Sequence, residues 1–155
     1  MLFAGLFVAV VLSGIGHYSL KKNHPEPYSF FLQYFFVYLG LSGLMGFFGH
    51  VFLSDQVALS IGWPAGSPFQ FEVGISNLAL SVLGFLSLKI KGSFILAALI
   101  ANWIFGWGAA VGHLRQMYLF HNFASGNSGA VFYFDLLIPL VMWLLYWKAK
   151  PQKRN

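Results

Sequence analysis

Cysteine is absent from the 155 residues. That excludes a disulfide framework, a thiolate metal site and a thiol nucleophile. Charge is scarce as well. Only 8% of the residues are Asp, Glu, Lys or Arg, against 58% hydrophobic, too few to cover a water-soluble fold of this length. Acid is rarest of all, limited to Glu26, Asp55, Glu72 and Asp135. Whole function classes are missing their signatures. There is no G-x-S-x-G nucleophile elbow, no P-loop and no dinucleotide fingerprint. No segment repeats at a fixed period, and none is of low complexity. The net charge of +5 lies mostly in short loops and the tail. It therefore reads as topology, and nucleic acid is not an expected partner. No basic residue precedes the first apolar run, and no small-x-small cleavage site comes before Lys21, so that run reads as a retained anchor.

What remains is a series of apolar runs of about 20 residues, the length that crosses a bilayer as a helix. The reading is an all-α integral membrane bundle, one transmembrane domain over residues 1–155. Five spans are expected, at about 2–20, 28–52, 68–88, 94–120 and 130–147. Pro25 and Pro27 end the first span and permit the second. The second span carries Gly40, Gly43, Gly46 and Gly49, a spacing that allows another helix to approach closely. It could serve a homo-oligomer. On the third span Gly74, Asn77, Ser81 and Gly84 form one small, polar stripe that should look into the bundle. The fourth span is roughly 40 Å long and must tilt or project. Asn102, Ala109, His113 and Gln116 share one of its faces, with Arg115 nearly opposite His113. The aromatic residues read as packing and lipid-facing groups.

The interval 54–80 is the longest that is not mainly apolar. Ser54 and Asp55 can cap a short surface-lying or re-entrant helix over about 55–61, with Gly62 ending it. Trp63-Pro64-Ala65-Gly66 turns the chain. Ser67, Pro68 and Gln70 then have the spacing of a capping box with proline at its favoured position, so a helix should start at Pro68. Glu72 falls about one turn in, where the helix dipole favours negative charge. Residues 121–129 are a turn by composition. In the fifth span Asp135 lies about 8–10 Å from the helix start. Pro139, four residues on, cannot donate to its carbonyl. An ionisable group inside a span is a functional candidate by default and should face a partner in the bundle. His113 and Arg115 are the candidates on the fourth span, His50 on the second.

Gly49-His50, GWPAGSPFQFE over 62–72, Asn77-Leu78-Ala79, Gly112-His113, Asn127-x-Gly129 and Asp135-x-x-x-Pro139 resemble an uncharacterised family of small polytopic prokaryotic membrane proteins. The resemblance covers about residues 40–140. It implies a shared core, and it groups His50, Glu72, Asn77, His113 and Asp135 as a set.

With five spans the outer ends of four helices bring His50, Glu72, His113 and Asp135 to one level. Together with Asn77 and Arg115 they are the candidate binding residues. Two imidazoles and two carboxylates suit a divalent metal such as Zn, Mn or Fe. They equally suit a proton relay, or a brace with Arg115. Three functions stay open. One is a membrane protein that binds or translocates a small solute or ion at an outward-facing polar site. The second is a metal-dependent membrane enzyme acting on a lipid-like substrate. The third is a non-catalytic assembly partner packing through the glycines of the second span.

Basic residues set the expected orientation. Lys21, Lys22, Lys89, Lys91, Lys148, Lys150, Lys153 and Arg154 fall on one side of a five-span chain. The positive-inside rule makes that side cytoplasmic. The expectation is a multi-pass protein of the plasma or inner membrane, N-terminus outside, C-terminus inside. Cysteine labelling at His24, Ala65, Ile90, Ser125 and Gln152 should alternate in, out, in, out, in. Positions 65 and 90 reporting from the same side would end the five-span reading.

Overall fold

The computed structural model describes residues 2–149, and every regular element among them is helical. The order is α1 (Leu2–Leu20), α2 (Pro27–Phe52), α3 (Ser54–Ile61), α4 (Phe69–Ser87), α5 (Ser93–Phe120), α6 (Ser125–Ser128) and α7 (Ala130–Lys148). Five helices are long and apolar enough to cross a membrane: α1, α2, α4, α5 and the α6–α7 segment Ser125–Lys148. Large apolar side chains such as Leu12, Ile104, Val111 and Leu144 point outward, the surface a lipid solvent accepts. The basic residues Lys150, Lys153 and Arg154 of the tail lie outside the described residues.

α2 is the central helix and touches α1, α3, α4 and α7. Its closest partner is α4, and the contact is made without side chains on one side. A Cβ on Gly43 would lie 2.7 Å from the Asn77 carbonyl oxygen, and one on Gly84 2.8 Å from the Gly40 nitrogen. The Ser81 hydroxyl donates to the Gly40 carbonyl at 2.6 Å. In lipid no hydrophobic gain drives helices together, so such close packing and interhelical hydrogen bonds must do so. The glycine face that the sequence offered to a second copy is thus occupied by α4 of the same chain. Leu32, Phe36 and Leu39 of α2, Leu80 of α4, Leu99 of α5, and Ile138 and Met142 of α7 form the apolar core.

α5 and α7 meet through a second small residue. A Cβ on Gly106 would lie 2.8 Å from the Pro139 ring and 2.9 Å from the Asp135 carbonyl oxygen. The proline frees that carbonyl from the helical ladder, and the bare glycine lets α5 close over it. One residue further, the Trp107 indole N–H donates to the Leu136 carbonyl at 3.2 Å.

Two expected caps are absent, each for a local reason. α4 starts at Phe69 with Pro68 as its N-cap, and no side chain caps it. The first turn is closed by backbone instead, Gln70 N–H to the Ser67 carbonyl at 3.2 Å. The Gln70 side chain is buried and accepts from His50 on α2. A tertiary partner has outbid the local capping box. Likewise Leu53, not Ser54, is the N-cap of α3, and the Asp55 carboxylate accepts from the Gly66 N–H at 2.9 Å, across the loop. Gly62 ends α3 as expected, in the left-handed region at φ 81°. Trp63 N–H bonds back to Ala58 and Gly62 N–H to Leu59, the pattern of a Schellman turn.

The glycines provide a test with opposite signs. Gly43→Ala should lower stability by roughly 1–3 kcal/mol, the usual cost of overpacking, because the group it meets is backbone. A Cβ on Gly16 meets nothing within 4 Å. Gly16→Ala should be neutral or raise stability by up to about 1 kcal/mol. Thermal unfolding of both variants in the same detergent checks the pair.

Candidate functional site

On α5 the buried residues Ala98, Leu99, Asn102, Gly106, Ala110 and His113 recur every three or four positions and make one inward stripe. On α7 Asp135, Ile138, Pro139 and Met142 do the same. The two stripes face each other. Near the end of α5 and the start of α7 the His113 Nε2 lies 3.5 Å from an Asp135 carboxylate oxygen. This is ion-pair distance. The imidazole is the more enclosed partner, with side-chain exposure of 10% against 24% for the carboxylate.

A third residue defines what this pair holds. Asn127, in α6, is fully buried. Its amide nitrogen donates to the Asn122 carbonyl at 2.7 Å and, at longer range, to the His113 carbonyl at 3.4 Å. The amide oxygen therefore faces the His113 Nδ1, 2.8 Å away. An amide oxygen only accepts, so Nδ1 carries a hydrogen. Nε2 then turns either a second N–H or a bare lone pair toward Asp135. A lone pair beside an ionised carboxylate is repulsive, so the stable arrangement has one proton between the two groups, on the imidazole or on the carboxyl. His113, Asn127 and Asp135 form a triad joined by one hydrogen bond and one ion-pair contact.

His113 and Asp135 lie in the wall of a cavity of about 660 Å³, with Asn127 behind them, a volume within the usual range for small-ligand sites. Tyr38, Ser42, His50, Trp63, Asn77 and Asn102 contribute to the wall, which is otherwise mostly apolar. His50 shares the cavity but is held by Gln70. Asn77 donates to the Val73 carbonyl at 2.9 Å and lies against Gly46. The buried Trp63 indole N–H has no hydrogen-bond partner among the described residues, a state that costs about 1–3 kcal/mol.

The other candidates stand apart. Glu72 is exposed on the first turn of α4 and does not line the cavity. Arg115 is exposed, with its guanidinium 5.6 Å from the centre of the Phe120 ring, so the arginine brace for Asp135 does not form. Among the described residues no three His, Asp or Glu side chains gather as a metal shell. The expected set of His50, Glu72, His113 and Asp135 for Zn, Mn or Fe is therefore not assembled. The reason is geometric. Glu72 points to solvent from α4, and Gln70, two residues earlier, takes the inward position beside His50.

Asn127 and Gln70 are the members that the sequence reading assigned elsewhere, one to a turn and the other to a cap. The only advance signal for Asn127 was its place in Asn127-x-Gly129. Asn127→Ala removes the Nδ1 acceptor and takes its donor from the Asn122 carbonyl. It should lower stability by roughly 1–3 kcal/mol. Asn122→Ala, read by the same thermal unfolding, should also destabilise, since its amide donates to the Ile61 carbonyl at 2.9 Å. An Asn127→Ala variant as stable as the parent would remove the triad's structural basis.

A family model described as a family of unknown function, DUF6790, matches residues 1–155, so the chain belongs to that family. No curated protein and no solved structure matches the chain.

Proposed function

With DUF6790 membership as the premise, we propose that this chain is a small-solute-binding membrane protein whose site is the cavity beside His113 and Asp135. The observation that carries the reading is the ion pair itself, set in the wall of a mostly apolar cavity of about 660 Å³. Apolar walls favour an amphipathic solute, and the carboxylate favours one that bears a cation. Binding such a cation releases the shared proton. Neutral His113 and ionised Asp135 remain, and the net charge of the pair plus its ligand stays at zero. The exchange avoids leaving an uncompensated charge in a low-dielectric wall. Asn127 keeps Nδ1 protonated throughout, so only the Nε2 side changes.

By the placement of lysines the cavity mouth faces outward and the chain ends are N-out and C-in. Binding is better supported than translocation. Phe36 and Met142 are almost fully buried below the cavity, and a path through the bundle would have to part them. The metal-enzyme reading lacks a ligand shell among the described residues. Against the assembly reading, α4 already packs on Gly40, Gly43 and Gly46 of α2.

A lipophilic cation, tetraphenylphosphonium, tests the proposal. It should raise the melting temperature of the purified parent and release protons on binding. Asp135→Asn should keep the fold and weaken binding at least about tenfold, roughly 1.4 kcal/mol. Ala109→Trp, which fills the cavity from α5, should do the same by exclusion. Equal binding by Asp135→Asn and the parent would refute the role of the carboxylate. No response of the parent to the cation would refute the ligand class.

A further inference from the structure

A second cavity, of about 550 Å³, lies at the opposite end of the bundle, between the start of α2, the end of α4, the start of α5 and the end of α7. Its lining divides by chemistry. Leu32, Phe36, Ile95 and Leu96 make an apolar floor, while Lys91, Ser29, Ser87 and Ser93 bring an ammonium and hydroxyls. Among the described residues no acidic one lines it. Tyr146 and Trp147 stand at its edge, as aromatic residues do at a membrane interface.

Lys91 is the decisive group. It follows α4, outside the spans, and is only partly exposed. Its ammonium donates to the Ser87 carbonyl at 3.1 Å, which caps the negative end of α4. An ammonium has three donors, so two remain beyond the Ser87 bond, on a residue that lines the cavity. Burial pulls its pKa below the usual lysine value, which means the charge lacks full compensation where it sits. An anion supplies that compensation. Two further lysines at this end are already engaged with aromatic rings, Lys21 over Phe30 and Lys148 over Tyr28. They add positive field without entering the cavity.

We propose that this cavity binds an anionic phospholipid, with its phosphate on Lys91 and the neighbouring serine hydroxyls and its upper acyl chain on the floor of Leu32, Phe36, Ile95 and Leu96. A free phosphate ion would use the polar rim and leave the floor uncovered. The two-part lining is what selects a lipid. The site is independent of the outer cavity and of its ligand.

Purified parent is titrated in detergent with phosphatidylglycerol, phosphatidylcholine, glycerol 3-phosphate and inorganic phosphate, with thermal unfolding and native mass spectrometry as readouts. Phosphatidylglycerol should raise the melting temperature and persist as a one-lipid adduct, and the other three should not. Lys91→Gln should weaken phosphatidylglycerol binding about fivefold or more, the scale of one lysine near a lipid headgroup. Lys89→Ala, an exposed lysine outside the cavity, should leave it unchanged. A purely structural role for Lys91 as the α4 cap predicts equal loss of stability in both lipids, and that result overturns the proposal. So does equal retention of phosphatidylcholine by the parent. A full response to glycerol 3-phosphate or inorganic phosphate overturns the lipid and leaves a small-anion site. If Lys91→Gln does not fold, the parent's adduct spectrum decides alone.

Discussion

Gly43 has no side chain, and the backbone of α4 lies where that side chain would be. Much of the bundle depends on this approach. In a bilayer the helices gain nothing by hiding apolar surface from lipid tails, so association rests on contact distance and on polar groups that find partners. Gly40, Gly43 and Gly84 bring the two backbones together, and Ser81 ties them by donating to Gly40. The contact also sets where His50 and Gln70 meet, because one stands near the end of α2 and the other near the start of α4. It fixes the wall of the His113 cavity opposite the triad.

The triad itself depends on a different accommodation. Pro139 breaks the α7 ladder at Asp135, and Gly106 lets α5 lie against the freed carbonyl. That closeness brings His113, two turns further along α5, to the carboxylate. α6 then closes the arrangement. Its Asn127 reads both ends of the local geometry, accepting from the His113 ring and donating to two carbonyls. A buried polar group with every partner supplied is rigid, and a partly supplied one is costly. The imidazole and the amide are of the first kind. Only the Nε2 side, toward Asp135 and the cavity, is left to change.

The five spans were legible because lipid makes a simple demand: about 20 apolar residues in a helix. The glycine stripe of α2 and the polar stripe of α4 were legible for the same reason, as small groups at helical spacing. Their mutual contact was not, since a stripe does not name its partner. Asp135 announced itself by expense, and His113 was among its foreseen partners. The remaining members were hidden by local alternatives of equal merit. Gln70 fits a capping box as well as it fits His50, and Asn127 fits a turn as well as it fits a buried amide. Glu72 and Arg115 were drawn in by their charge and their level in the membrane. Their azimuth on the helix decides otherwise, and both face outward.

The distribution of polar groups constrains any account of movement. Leu39 belongs to the wall of the cavity beside His113 and Phe36 to that of the cavity beside Lys91. Less than one helical turn separates them on α2, yet both are buried in the apolar core with Leu99 and Met142. A passage between the cavities has to separate α2 from α7 at this belt. The α2–α4 contact sets glycine against backbone at Gly43 and Gly84. The α5–α7 contact contains a proline and a freed carbonyl, and its cross-links come from side chains, Trp107 to the Leu136 carbonyl and Asn102 to the Met142 sulfur. Both interfaces thus set a bare glycine against backbone and add a side chain that donates to a carbonyl, Ser81 to Gly40 in one and Trp107 to Leu136 in the other.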